Sequence, residues 1–131
     1  MKRILVLAIL MFAGAAYGQS ASCPVAVLDV RNIEDAMYVY FQNNASTTLN
    51  SYEFAFIFVD LAGKQHIFPL FVSGTKSVPS GDGGAVSLPT STTMQYLFPE
   101  ANAYLIKATF SDGTTWKDDG THACGSTSWQ E

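Results

Sequence analysis

Apolar and polar positions alternate with a period of two along most of this chain, and clusters of Gly, Asn, Asp, Ser and Pro interrupt the alternation at short intervals. Residues 25–31 form the first predicted strand. Residues 36–42 form the second, because Met37, Val39 and Phe41 alternate with Tyr38 and Tyr40. The run Asn43-Asn44-Ala45-Ser46-Thr47-Thr48 then ends it in turn formers. Residues 51–59 put Tyr52, Phe54, Phe56 and Phe58 on one face and Ala55, Ile57 and Val59 on the other. A strand apolar on both faces belongs in the middle of a sheet.

Asp60-Leu61-Ala62-Gly63 reads as a hairpin connection with Gly available for a positive φ. Residues 64–72 are its partner strand, and Pro69, which has no N–H to give a ladder, marks an edge or a bulge. Five Gly or Pro residues in 73–84 predict a mobile loop, residues 85–88 a short strand, and 94–98 one helical turn. Residues 103–110 are the sixth strand, with Tyr104, Ile106, Ala108 and Phe110 inward and Lys107 and Thr109 outward. Ser111-Asp112-Gly113 is a turn, and residues 114–117 open the seventh strand. Seven short strands at roughly 8–15-residue spacing predict an all-β chain, a single antiparallel β-sandwich of immunoglobulin-like build. Tyr104 stands where a tyrosine corner would be; an ordinary inward aromatic is the other reading.

The first 18 residues break this pattern. Lys2 and Arg3 precede an apolar run over residues 4–16, and Ala16-Tyr17-Gly18 places small residues at −3 and −1 of a cut before Gln19. That order is the order of a secretory signal, and 13 residues fall short of the ~20 a spanning helix needs. Residues 1–18 are thus expected to be a signal peptide and 19–131 one β-sandwich domain, secreted or periplasmic, with no transmembrane segment in the mature chain. Loss of Lys2 and Arg3 leaves 5 Lys/Arg against 11 Asp/Glu, a charge of −6. With charged residues at only 14% and no basic run, a nucleic-acid partner is not expected.

Export changes the meaning of the two cysteines, Cys23 and Cys124. In an oxidising compartment an even count favours one disulfide, here closing about 100 residues. Asp118-Asp119-Gly120 supplies the turn that would bring the tail back to the first strand. The competing reading makes Cys23 a lipidated N-terminus, but Ser20-Ala21-Ser22 has no Leu-like residue at −3.

One stretch carries a resemblance. Phe41-Gln42-Asn43-Asn44-Ala45-Ser46, then Leu49, Phe54-Ala55-Phe56-Ile57-Phe58, Asp60 and Gly63 follow a recurrent order: a strand ending in Asn, a small loop, and a hydrophobic strand running into Asp-x-x-Gly. This is similar to the FxLYD-type and related immunoglobulin-like modules of exported bacterial proteins, and residues 110–116 match them loosely. The resemblance implies an interaction module with no shared catalytic residues. Two flanking cysteines are not part of that pattern.

Candidate chemistry is sparse. His66 lies in a strand and His122 in the tail, and neither has the GxSxG context of a hydrolase or the spacing of a metal site. Asp112, Asp118 and Asp119 surround two glycines without the D-x-D-x-D-G alternation of a calcium loop; solvated turns are the plainer reading and calcium the alternative. Asn44-Ala45-Ser46 has the form of a glycosylation triplet. Among the aromatics, Tyr38, Tyr40, Tyr52 and Trp116, with Trp129 in the tail, could form a stacking surface, although most aromatics of a sandwich belong to its core. No cofactor, metal or catalytic residue is expected. The function expected is a non-enzymatic exported module that binds a protein or cell-surface partner; the alternative is a carbohydrate-binding module or small hydrolase.

Overall fold

The computed structural model describes residues 23–126. The signal-peptide reading of residues 1–18, the cut before Gln19 and the aromatic Trp129 lie outside them. The elements are β1 Val25–Ile33, β2 Ala36–Asn43, β3 Leu49–Val59, β4 Gln65–Gly74, β5 Gly83–Pro89, α1 Thr92–Leu97, β6 Glu100–Phe110 and β7 Thr115–Lys117. The strands pair in two antiparallel sheets, β1-β2-β5 and β4-β3-β6-β7. The chain is therefore all-β.

Alternation in β2 buries Met37, Val39 and Phe41, while β3 buries Phe54, Phe56 and Phe58 toward them. These side chains join Val25 and Leu105 in one core shared by both sheets. The Phe41 and Phe54 rings meet across it at 5.3 Å. The three-stranded sheet is strongly curled, and its register shifts between Val27 and Asp29, leaving Leu28 exposed at the bulge.

β3 is central, as its two apolar faces require, with Ala55 and Ile57 buried on the face away from the shared core. β4 is an edge strand, and Pro69 falls where its ladder slips: Ala55 faces Phe71, but Ile57 faces Ile67. Both conditions predicted for Pro69 are met. α1 begins two residues earlier than the pattern suggests because the Ser91 side chain caps it, accepting the Met94 N–H at 3.0 Å. The loop after β4 is tied rather than free. Val78 is buried and exchanges backbone hydrogen bonds with Leu49 at 2.9 and 3.0 Å.

The inward set of β6 needs correction. Glu53 faces Lys107, but Phe54 faces Leu105, so Ile106 is an extra residue in that ladder. Such a bulge reverses which side chains point inward. Ala103 and Leu105 face the core before it, and Ala108 and Phe110 after it. Tyr104 and Ile106 lie on the opposite face with Ala55 and Ile57. Tyr104 is thus no tyrosine corner; its ring stacks on His122 from the tail at 3.9 Å.

That tail turns where the aspartates suggest. The Asp118 carboxylate accepts the N–H groups of Gly120 and His122 at 3.0 Å each, and Gly120 takes φ 99°. The chain then rejoins the free edge of β6, Leu105 N–H to Cys124 O at 3.0 Å and Ser126 N–H to Ala103 O at 2.9 Å. Cys124 is bonded to Cys23, just before β1. The bridge fastens an extension of the four-stranded sheet to the first strand of the three-stranded one.

Candidate interaction surfaces

The four aromatics proposed as one surface fall in three places. Tyr38 and Tyr40 point outward from β2, the middle strand of its sheet, with ring centroids 6.1 Å apart and planes 18° apart. On one side they face small residues of β5: Tyr38 is opposite Ser87 and Tyr40 opposite Ala85. On the other side they face Arg31 and Asp29 of β1, which pair at 2.6 Å. The hydrogen bond to Asp29, and then its charge, hold the Arg31 guanidinium even more firmly protonated than usual. The result is a two-ring strip with a low wall on one side and an ion pair on the other.

Tyr52 does not belong to that strip. It is 4% exposed, packs against Phe41 at 4.8 Å and donates its hydroxyl to Lys76 O at 3.0 Å. Burial pushes its phenol pKa up. Trp116 sits on the other sheet, opposite Ala108 of β6, half-buried at the core margin. It helps line a shallow depression of about 430 Å3 with Cys23, Pro24, Asn44, Ser46 and Thr115. Asn44, the first residue of the glycosylation triplet, is exposed there, its backbone N–H held by Pro24 O.

The acidic residues are occupied locally. Asp112 accepts from the N–H and hydroxyl of Thr114, and Asp119 from those of Thr121. These bonds, the hydroxyl contact first, hold both carboxyls below the ordinary range. Among the described residues no three His, Cys, Asp or Glu side chains come together to hold a metal ion. Nor is any described helix long and apolar enough to cross a membrane.

His66 is on the edge strand, as expected, but is packed as well as exposed. Its Nε2 meets the Asp60 carboxylate at 2.8 Å, and its ring lies flat on Phe68 and edge-on to Phe98. Asp60 also accepts the N–H groups of Ala62 and Lys64, closing the β3–β4 turn. His66 first, then the Lys64 N–H, hold the Asp60 carboxyl below its ordinary value. The stabilisation is therefore complete above the ordinary carboxylate range and lost as pH falls through the lowered value. Thermal melts across the acid range should show a shallower decline for Asp60→Asn than for the parent; parallel curves would remove the pair from the acid response.

A scan against family models gives no match, and a search of curated proteins gives none either. Among solved structures this chain is similar to the X-ray structure of Northeast Structural Genomics Consortium target SoR45. The TM-score is 0.41 and the identity 13%, over 74% of this chain and 84% of that one, a likeness too slight to carry fold or function.

Two features escaped sequence reasoning. Asn43, taken as one turn former among six, is fully buried and ties two loops together. Leu61, Tyr96 and Leu97 are large apolar side chains left exposed in a turn and a short helix. Leu61 was readable, since a leucine at a hairpin tip has no core to enter; the α1 residues were not, because one helical turn has no resolvable face.

Proposed function

We propose that this chain is an exported, non-enzymatic β-sandwich of immunoglobulin-like build that binds a protein or cell-surface partner. Export is supported by the signal-like order of residues 1–18 and by the Cys23–Cys124 bridge, a bond that persists in oxidising compartments. The build is supported by three strands, β1-β2-β5, sharing a core with four, β4-β3-β6-β7, since each sheet takes strands from both halves of the chain. The binding role rests on the Tyr38–Tyr40 strip. Two outward tyrosines on a middle strand, with the small Ala85 and Ser87 on one side and the Arg31–Asp29 pair on the other, offer amphipathic rings at low entropic cost to a partner.

A carbohydrate ligand is the second reading, favoured by the same near-parallel rings flanked by the Arg31–Asp29 pair and the Ser87 hydroxyl. A photo-reactive residue at position 87, expressed in the native host, separates the two. The interaction module predicts a trapped protein that disappears in the Tyr38→Ser/Tyr40→Ser variant at unchanged melting temperature. Binding on a glycan array, lost in that variant, would favour the sugar reading. Turnover in a hydrolase panel would overturn a non-enzymatic role. The intact mass of the exported protein should begin at Gln19; retention of residues 1–18 would overturn export by signal cleavage.

A further inference from the structure

Seven large apolar side chains are exposed among the described residues; Leu28, Ile67 and Phe71 lie along strands, and the other four stand at one end. Ile33 closes β1, Leu61 tips the β3–β4 turn, and Tyr96 and Leu97 lie on α1, with Tyr96 71% and Leu61 68% exposed. Strand register gathers them. Ile33 faces Ala36 and Ala36 faces Pro89, so the β1–β2 turn and the end of β5 coincide. Val59 faces both Gln65 and Glu100, so the β3–β4 turn and the start of β6 coincide. α1 joins the two pairs, its Gln95 side chain donating to Glu34 O while Thr90 N–H reaches Asp35 O at 2.8 Å. Phe98, just after α1, packs on Phe58, Phe68 and His66 at 5.4–5.6 Å between centroids. This end is braced. The opposite end is built from polar loops such as Asn44 to Thr48 and Ser111 to Thr114.

Charge says what covers it. Glu34, Asp35 and Glu100 sit among these apolar residues and form no ion pair among the described residues, whose pairs are Arg31–Asp29 and His66–Asp60. Lys64 is the single Lys or Arg in the two turns and α1. Beside them a groove of about 480 Å3 runs between β1 and the start of β6, lined by Asp29, Arg31, Asn32, Pro99 and Glu100. An apolar tip ringed by unpaired carboxylates repels an anionic membrane. It repels a second copy of itself for the same reason. It matches a protein segment carrying apolar side chains between lysines or arginines.

We propose that this end of the molecule docks a protein partner that presents an apolar patch with a cationic rim. The inference rests on the interaction-module reading and adds a surface separate from the tyrosine strip. Apolar contact through Leu61, Tyr96 and Leu97 supplies the affinity, and the carboxylates steer the approach and set its orientation.

The test is a displayed random-peptide library selected on the disulfide-bonded protein, with binders then measured against three variants of unchanged melting temperature. Selected peptides should carry Lys or Arg around apolar residues. They should lose about tenfold or more in affinity on Leu61→Ser/Tyr96→Ser/Leu97→Ser, since a few central apolar residues dominate such contacts. On Glu34→Gln/Asp35→Asn/Glu100→Gln the salt dependence should flatten, and on Tyr38→Ser/Tyr40→Ser nothing should change. Peptides lacking cationic residues, or equal binding to the apolar triple variant, would overturn the assignment. So would adsorption to phosphatidylcholine–phosphatidylglycerol vesicles or self-association, if the triple variant abolished either. Binders that depend on Tyr38 and Tyr40 alone would leave the module reading standing and remove this surface; binders that depend on neither would remove both.

Discussion

Replacement of Cys23 and Cys124 together by alanine is expected to cost about 3–5 kcal/mol. The bond closes 101 residues of sequence, so in the chain-entropy model it restricts nearly the whole described chain when unfolded. Its folded-state role adds to this. Cys124 is buried in the shared core, and it and its neighbours carry the backbone hydrogen bonds by which the tail rejoins β6, Leu105 N–H to Cys124 O and Ser126 N–H to Ala103 O. At about 4–8 °C per kcal/mol, the melting temperature should fall by about 12 °C or more. The loss should also be local: the Leu105 and Ser126 amides, which bond Cys124 O and Ala103 O, should lose hydrogen-exchange protection before the β3 amides do. Two reactive thiols per monomer in the non-reduced exported protein would overturn the bridge, and a change of under about 1 kcal/mol would overturn its weight.

Asn43→Ala should come close behind. The side chain is fully buried and uses both ends: Nδ2 donates to Thr47 O and Val78 O, each at 2.9 Å, and Oδ1 accepts the Ala45 N–H at 2.9 Å. Its backbone adds bonds to Asp82 O and from Gly81 N–H. One residue thus closes the β2–β3 loop and pins the segment between β4 and β5. Alanine leaves Thr47 O and the Ala45 N–H without this partner and Val78 O with its Leu49 N–H bond alone; at about 1–3 kcal/mol for each group that water cannot reach, a total of about 2–4 kcal/mol is expected. Asn43→Asp keeps the acceptor but turns a carboxylate toward two carbonyl oxygens, which raises its folded pKa. That variant should therefore recover stability relative to the parent as pH falls, because only the protonated acid can donate. Urea melts at neutral and acid pH read both effects. A loss under about 1 kcal/mol for alanine would show that the loops hold without this side chain.

Asn43 also shows where sequence reasoning stops. Its place in the resemblance, at the end of a strand before a small loop, was visible in the chain. Its burial was not, because Val78 and Asp82 come from a segment more than thirty residues away. The loop containing them looked mobile for the same reason: five Gly and Pro residues report local freedom and say nothing about the Leu49–Val78 bridge.

The tyrosines divide along a similar line. Alternation in β2 placed Met37, Val39 and Phe41 inward, and so left Tyr38 and Tyr40 outward, with no knowledge of a partner sheet. Tyr52, in the strand with two apolar faces, could be assigned to a surface or to the core until its neighbours were known; its contact with Phe41 crosses between sheets.

The seven strands, their order along the chain, the two-faced central strand, the edge position of Pro69 and the disulfide all follow from local rules. A two-residue period, a missing N–H and an even cysteine count act within a few residues or by simple elimination. Tertiary structure decided the rest. The bulge at Ile106 is a feature of the pairing of β6 with β3, and it leaves Tyr104 on the outer face while Ala108 and Phe110 stay on the core side. The apolar end exists because antiparallel register carries two turns and α1 to the same place. Pairing between distant strands sets both, and the period of any one strand is unchanged by it.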